Sequence, residues 1–350
     1  MQKNSGYNPE RKIFGGEGMK KVLVLGLILL VFFAPLAVFA AGRQQTGEKK
    51  IKIGFANINE RSSFAKMVRN GMEDEAKKRG WDIICVDNNS DGATAVRNAD
   101  DLITHNVNYM IEFNVDASVG PVIMEKFNAA KIPVIAVDIP HPGAIFFGAD
   151  NPFAGTMGGE LAGDFVNKNW GGQVDFVVLL AQAMSGAVVA PRYMNFPVGL
   201  RNKGITVNQN QIVILDSNAD VALMQRMFAD FLMANPNAKR IAVGSNQDLY
   251  ANGAYAAAEI AGREKQVVIV SQNATQEFVE AMYAKNGNTN WIGSIGYFPN
   301  RYGEWVFQIL DKMVAGQKME ENYFIQHEPV TWDNIKKHYP LDNLPWANLR

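Results

Sequence analysis

Cysteine is nearly missing from this chain, since Cys85 is the only one among 350 residues. No intrachain disulfide is possible. The setting of Cys85 in the apolar run Ile83-Ile84-Cys85-Val86 predicts a packed core thiol, not a nucleophile or metal ligand. Histidine is scarce too: His105, His141, His327 and His338 fall at no metal-ligand spacing, so no metal site is expected. The formal net charge is −1 and no long run of like charge occurs, which leaves no broad basic field for nucleic acid. Glycine is plentiful but not where a phosphate needs it. The first strand runs into Asn57-Ile58-Asn59-Glu60-Arg61-Ser62-Ser63 with no glycine-rich turn, so neither a dinucleotide fingerprint nor a phosphate loop is present and no cofactor is expected. Ser185-Gly186 lacks the flanking glycines of a nucleophile elbow, and the many carboxylates show no acid-base pair by spacing alone. The chain carries no reaction signature and is not expected to be an enzyme.

What is present begins with Met19-Lys20-Lys21, a charged opening to an apolar run from Val22 to Phe33. Pro35 interrupts that run before Val38-Phe39-Ala40-Ala41, whose small residues suit a signal peptidase. Residues 1–40 therefore read as a secretory signal peptide, cut after Ala40 or Ala41, and the expected location is periplasmic or extracytoplasmic. The alternative is an uncleaved anchor, because the apolar stretch to Ala41 approaches the ~20 residues needed to span a bilayer. Residues 1–18 precede a complete signal, and Met19 is a candidate true start. No cysteine near the junction supports a lipid-modified N-terminus.

The remaining chain of about 310 residues suits two lobes of ~150 residues each. Strands are expected at 51–56, 82–86, 109–112, 133–138 and 144–147, with helices at 63–79, 94–105 and 119–130. The second half repeats the scheme, with strands at 173–180, 211–215, 239–244 and 267–271 and helices at 191–202, 219–234 and 249–261. Such alternation predicts an α/β fold of parallel sheets covered on both faces. The strand Ile132-Pro133-Val134-Ile135-Ala136-Val137-Asp138 ends in a carboxylate where open parallel sheets place their ligands. Asp150-Asn151-Pro152 supplies a helix cap and an early proline, and the helix after it carries Gly155, Gly158, Gly159, Ala162 and Gly163, small enough to approach its sheet closely. No low-complexity linker parts the halves. The lobes are expected to meet along a cleft, a common small-molecule site.

Taken together and in order, several segments resemble the periplasmic sugar-binding proteins of the ribose and galactose type. They are Ile53-Gly54-Phe55, Ser62-Ser63-Phe64, Gly71-Met72-Glu73-Asp74-Glu75-Ala76, the strand ending at Asp138, Gly148-Ala149-Asp150-Asn151 before Gly158-Gly159, Val243-Gly244-Ser245-Asn246-Gln247-Asp248, and Ile295-Gly296-Tyr297. The resemblance covers roughly residues 50–330. It implies a type 1 periplasmic binding protein fold: two doubly wound parallel-sheet lobes joined by a three-stranded hinge. The N-terminal lobe would take 50–150 and 298–327, the C-terminal lobe 151–297 and 328–335, and 336–350 would form a separate tail.

The resemblance also implies ligand-binding residues. Phe64 matches a ring that stacks on a sugar, with Ser62 beside it, and Asp138 matches a carboxylate that accepts sugar hydroxyls; otherwise Phe64 packs a helix start and Asp138 caps a loop. Asn246 matches a cleft amide or closes a turn. Asn114 and Asp116 fall near a polar contact, with turn closure as the alternative for each. The departures concern the ligand. Asn273 stands in place of an aspartate, and Ile139 replaces an arginine after Asp138. Phe196 occupies the position of a gripping arginine, leaving Arg192 one helical turn away and favoured as a surface charge. Tyr297 replaces a glutamine or asparagine and reads as a hydroxyl contact, a stacking face or hinge packing. The expected pocket is thus less charged and more aromatic than a ribose binder's.

The implied function is an exported receptor that closes on a sugar or sugar-like polyhydroxylated solute and delivers it, as a monomer, to an ABC permease with its ATPase. The alternative is an exported sensor that hands its ligand to a chemoreceptor or kinase; glycan processing is a remote third. A repressor of related fold would need an N-terminal helix-turn-helix where this chain has an apolar segment.

Overall fold

The computed structural model describes residues 50–218 and 220–347. The proposed signal at 1–40 lies outside the described residues, as does Ala219 at the expected start of one helix. In chain order the first elements are β1 Lys52–Asn57, α1 Ser63–Arg79, β2 Asp82–Asp87, α2 Gly92–Thr104, β3 Tyr109–Glu112, α3 Gly120–Ala129, β4 Val134–Val137, β5 Ile145–Gly148 and α4 Asn151–Trp170. Then come β6 Phe176–Ala181, α5 Pro191–Met194, α6 Phe196–Asn202, β7 Ile212–Asp216, α7 Val221–Ala234, β8 Ile241–Ser245, α8 Asp248–Ile260 and β9 Val267–Asn273. The last are α9 Gln276–Ala284, β10 Trp291–Gly296, α10 Tyr302–Val314, β11 Asn322–Phe324, β12 Glu328–Thr331 and α11 Ile335–His338.

The strands form two six-stranded sheets, ordered β11-β5-β4-β3-β1-β2 and β12-β10-β9-β8-β6-β7. Every pair is parallel except β10 with β12. The chain therefore passes between the sheets three times: after β5, after β10 and after β11. Central strands such as β8 and β9 are buried along their whole length and open as apolar runs, Ile241-Ala242-Val243 and Val267-Val268-Ile269-Val270, before polar residues at their carboxyl ends. In both sheets the order reverses beside the first strand, β1 against β3 and β6 against β8. That reversal splays the following loops apart at the carboxyl ends and opens a crevice.

Helix boundaries follow local chemistry. Ser62 caps α1 by accepting from the Ala65 N–H at 3.3 Å, and Gly80 ends it in the left-handed region at φ 67°. Asp150 caps α4 through the Phe153 N–H at 3.2 Å. The small-residue face of α4 behaves differently from expectation. A Cβ on Gly155 would lie 2.1 Å from the Pro191 carbonyl oxygen, and one on Gly159 2.0 Å from that of Phe196. These glycines seat α5 and α6 against α4; only Gly158 faces the sheet, toward Val270 and Gln272.

Two further expectations are corrected. The helix at 191–202 breaks at Asn195 into α5 and α6, where Pro197 removes a backbone donor. The segment past Thr331 is not separate: Ile335 and Tyr339 are buried, Tyr283 Oη donates to the Tyr339 carbonyl at 2.7 Å, and Trp346 packs on Tyr339 with ring centroids 5.6 Å apart. Apolar area at the second lobe's edge takes it up. Cys85 is partly buried against the first lobe's core, and burial pushes its thiol up to about 12.

Candidate functional site

The carboxyl ends of the two sheets face each other across a cavity of about 210 Å³. From the first lobe it is lined by Asn59, Ser62, Phe64, Ser90, Phe113 and Asp138; from the second by Gln182, Arg192, Asn246, Asn273, Thr275 and Glu277.

Asp138 follows β4 in the left-handed region at φ 58°, which turns its side chain back toward the sheet edge. Gly148 of β5 makes the space, since a Cβ there would lie 2.7 Å from Asp138 Oδ1. The buried carboxylate accepts from the Ala149 N–H at 3.3 Å and from Tyr302 Oη at 3.2 and 3.1 Å. Arg192 Nη2 lies 4.0 Å away. Burial raises the Asp138 pKa, opposed by Arg192 and the Tyr302 hydroxyl. Phe64, in the first turn of α1, is braced edge-on by Tyr302 at 5.5 Å and tilted against Phe113 at 6.2 Å. It presents a half-buried ring to the cavity.

On the opposite wall, the loop after β8 carries Asn246, whose Nδ2 donates to Gln182 Oε1 at 3.2 Å while its Oδ1 is buried without a protein partner. Asn273 ends β9 at φ 104°, its carbonyl accepting the Tyr297 N–H at 3.2 Å, and its Oδ1 is likewise buried and unpartnered. An unpaired buried acceptor costs about 1–3 kcal/mol, so two of them on one cavity wall call for donors from outside the protein. Below them Asp248 binds Ser271, Ser294 and Thr275 in a buried network that fixes the β9–α9 turn. Among the described residues no cluster of three or more His, Cys, Asp or Glu is arranged to hold a metal ion.

Of the residues singled out in sequence, Ser62, Phe64, Asp138, Arg192, Asn246 and Asn273 come together around the cavity. Arg192 is no surface charge: its side chain is 11% exposed, its Nε donates to Asn151 Oδ1 at 2.6 Å, and its guanidinium lies over the Tyr297 ring at 4.7 Å. The other four are placed elsewhere. Phe196 is buried in the second lobe, filling the space left by Gly244, where a Cβ would come within 2.4 Å of the ring. Tyr297 is fully buried beneath Arg192 and does not reach the cavity lining. Asn114 lies behind the site, its Nδ2 3.0 Å from His141 Nε2, because the extended backbone after β3 turns Phe113 and Val115 toward the cavity and Asn114 away. Asp116 caps the turn at 117–119, accepting from the Ser118 N–H at 2.9 Å and its hydroxyl at 2.7 Å. With Arg192 and Glu277 inside and two aromatics outside, the pocket is more charged than expected. Gln182, Gln247, Thr275 and Glu277 escaped sequence reading, although Gln182 and Gln247 sit just beyond the ends of β6 and β8, where ligands gather in such sheets.

Comparison with known proteins agrees with this architecture. Residues 53–318 match the model of the periplasmic binding protein domain. The ribose import binding protein of Salmonella typhimurium is 25% identical over 269 residues, 74% of this chain and 83% of that protein. An ABC transporter solute binding protein from Mycobacterium smegmatis with bound glycerol superposes with a TM-score of 0.69 at 22% identity, covering 82% of this chain and 96% of that one. Another, from Actinobacillus succinogenes with bound D-allose, gives 0.70 at 18% identity, covering 82% and 100%. The family match runs through both sheets and every strand that faces the cavity, and on that ground the chain belongs to the periplasmic binding protein family.

Proposed function

We propose that this protein is an exported receptor that binds a sugar or sugar-like polyhydroxylated molecule between its lobes and delivers it to an ABC permease driven by an ATPase. Family membership implies an extracytoplasmic location; export would use the N-terminal apolar segment, cut after Ala40 or Ala41. The observation that carries the ligand class is the 4.0 Å separation of Arg192 Nη2 and Asp138 Oδ1. A hydroxyl oxygen about 2.8 Å from each fits that span, accepting from the guanidinium and donating to the carboxylate. An ammonium group has nothing to accept with, and a carboxylate has nothing to donate. The unpartnered Asn246 Oδ1 and Asn273 Oδ1 take further hydroxyl donors, and the Phe64 ring faces the apolar side of a sugar. Ser62, Phe64, Asp138, Arg192, Asn246 and Asn273 form the proposed contact set; Asn114, Asp116, Phe196 and Tyr297 do not. The ligands of those relatives, ribose, glycerol and D-allose, belong to the same chemical class.

The lobes are taken as 50–150 with 298–327, and 151–297 with 328–335, closing about the three crossings as a monomer. Ligand that touches both walls only when they close shifts the population to the closed form. Calorimetry after a thermal-shift screen of monosaccharides, polyols and nucleosides tests the reading, since a ligand of the native state raises the melting temperature by linkage. Micromolar affinity, about −8 kcal/mol, is expected for the best ligand. Asp138→Ala should weaken it at least tenfold, about 1.4 kcal/mol or more. Absence of any carbohydrate response would reject the proposal.

A further inference from the structure

Arg192 reaches the cleft from α5, a helix of only four residues with little rigidity of its own. A long side chain on so short an element loses conformational freedom with every ligand contact unless something already holds it. Two groups do so. Asn151, the first residue of α4, accepts from Arg192 Nε at 2.6 Å, and its own Nδ2 donates to the Val188 carbonyl at 3.0 Å, so the accepting oxygen is oriented. Beneath the guanidinium lies Tyr297, its ring centre 4.7 Å from Arg192 Cζ. Tyr297 is itself fixed, its N–H tied to the Asn273 carbonyl and its ring edge-on to His327 at 4.6 Å. His327 Nδ1 faces the Gly296 carbonyl at 3.1 Å, and burial holds that imidazole neutral, so no second cation opposes Arg192 there.

We propose that Tyr297 and Asn151 are positioning residues for ligand binding, holding the Arg192 guanidinium beside Asp138 as a fixed donor without touching the ligand. The proposal rests on the carbohydrate reading of the cleft. A planar guanidinium suits this seat through its face and its Nε–H together; an ammonium offers neither. The Tyr297 hydroxyl has no hydrogen-bond partner, so the ring and not the hydroxyl carries the role.

The test has one arm without ligand. In arginine side-chain ¹⁵N–¹H spectra of the protein alone, an Nε–H signal displaced from the solvent-exposed position and slow to exchange should vanish in Arg192→Lys. It should persist in Tyr297→Phe and Asn151→Asp and collapse to the exposed position in Tyr297→Leu and Asn151→Ala. In the second arm, calorimetry uses the tightest-binding neutral carbohydrate of the screen. Tyr297→Phe should bind within twofold of the native protein and Tyr297→Leu at least tenfold more weakly. Arg192→Ala combined with Tyr297→Leu should be no weaker than Arg192→Ala alone. An Arg192 signal indifferent to Tyr297→Leu, or additive losses in the double variant, would overturn the proposal. Should no carbohydrate bind while the Nε–H signal responds as stated, the positioning of Arg192 stands and the carbohydrate reading falls.

Discussion

A carboxylate buried at the base of a cleft keeps its charge only if donors replace the water it has lost. Asp138 has Tyr302, the Ala149 amide and nearby Arg192; Glu112, just behind the cleft, has amides alone. Asn88 donates to Glu112 Oε1 at 3.0 Å, Oε2 is unpartnered, and burial pushes the carboxyl up to about 8. Glu112 is therefore protonated at neutral pH. In the unfolded chain it ionises near its ordinary value of 4.5, so its stabilisation is complete below that pH and is lost as pH rises to about 8. Asp248, raised to about 7 by burial, adds a slope of the same sign. His327, lowered to about 4, acts oppositely, withdrawing stability as pH falls below about 6.5. Glu112→Gln should flatten the fall in stability between pH 4.5 and about 8, and urea denaturation at pH 9 should find the variant at least about 1 kcal/mol more stable than the native protein. Equal slopes for the two proteins would show that Glu112 does not titrate as inferred. None of this was visible in sequence, where Glu112 is the last residue of a strand and nothing marks the direction of its side chain.

Between elements, the contact of α4 with α5 and α6 governs both packing and the site. Alanine is normally the better helix former than glycine by about 1 kcal/mol. At Gly159 that preference should be overruled, because the new Cβ would meet the Phe196 carbonyl and neither helix backbone can yield cheaply. Gly159→Ala should lose about 1–3 kcal/mol in chemical denaturation. Gly158 is the control: a Cβ there comes no closer than 3.3 Å to any neighbour, the end of the Gln272 side chain, so Gly158→Ala should cost less than Gly159→Ala. Equal losses at both sites would mean that the two backbones are not in contact as described. Gly155→Ala should also weaken ligand binding, since it displaces the Pro191 carbonyl one residue before Arg192. The cap Asp150 and the early Pro152 of α4 could be read directly, because each acts on its own neighbours. What the small face of α4 touches could not, because its partners lie more than 30 residues away.

At the scale of the molecule, the two lobes touch through a specific contact. The Ser63 hydroxyl, at the N-terminus of α1, lies 3.2 Å from both oxygens of Glu277 on the other lobe, and Thr275 Oγ1 lies 2.7 Å from the same carboxylate. The positive end of α1 favours the anion. If the proposed closure holds, Glu277→Ala should speed ligand dissociation roughly three- to tenfold, about 1 kcal/mol, with little change in association. Stopped-flow traces showing an unchanged dissociation rate would remove this contact from the closed state's stability. Alternation of strand and helix, the doubling of that pattern and the ordered motifs from Ile53 to Tyr297 were enough for the α/β class and the family, because periodicity and turn chemistry act over a few residues. They also placed Asp138 at a strand end. Which polar residues at those ends face the cavity was decided only by tertiary structure. Phe196 went inward because Gly244, distant in sequence, leaves a space of its size, and Arg192 went into the cleft because Asn151 and Tyr297 receive it. Such choices depend on complementary volume and charge brought together from far along the chain, and no local pattern encodes them.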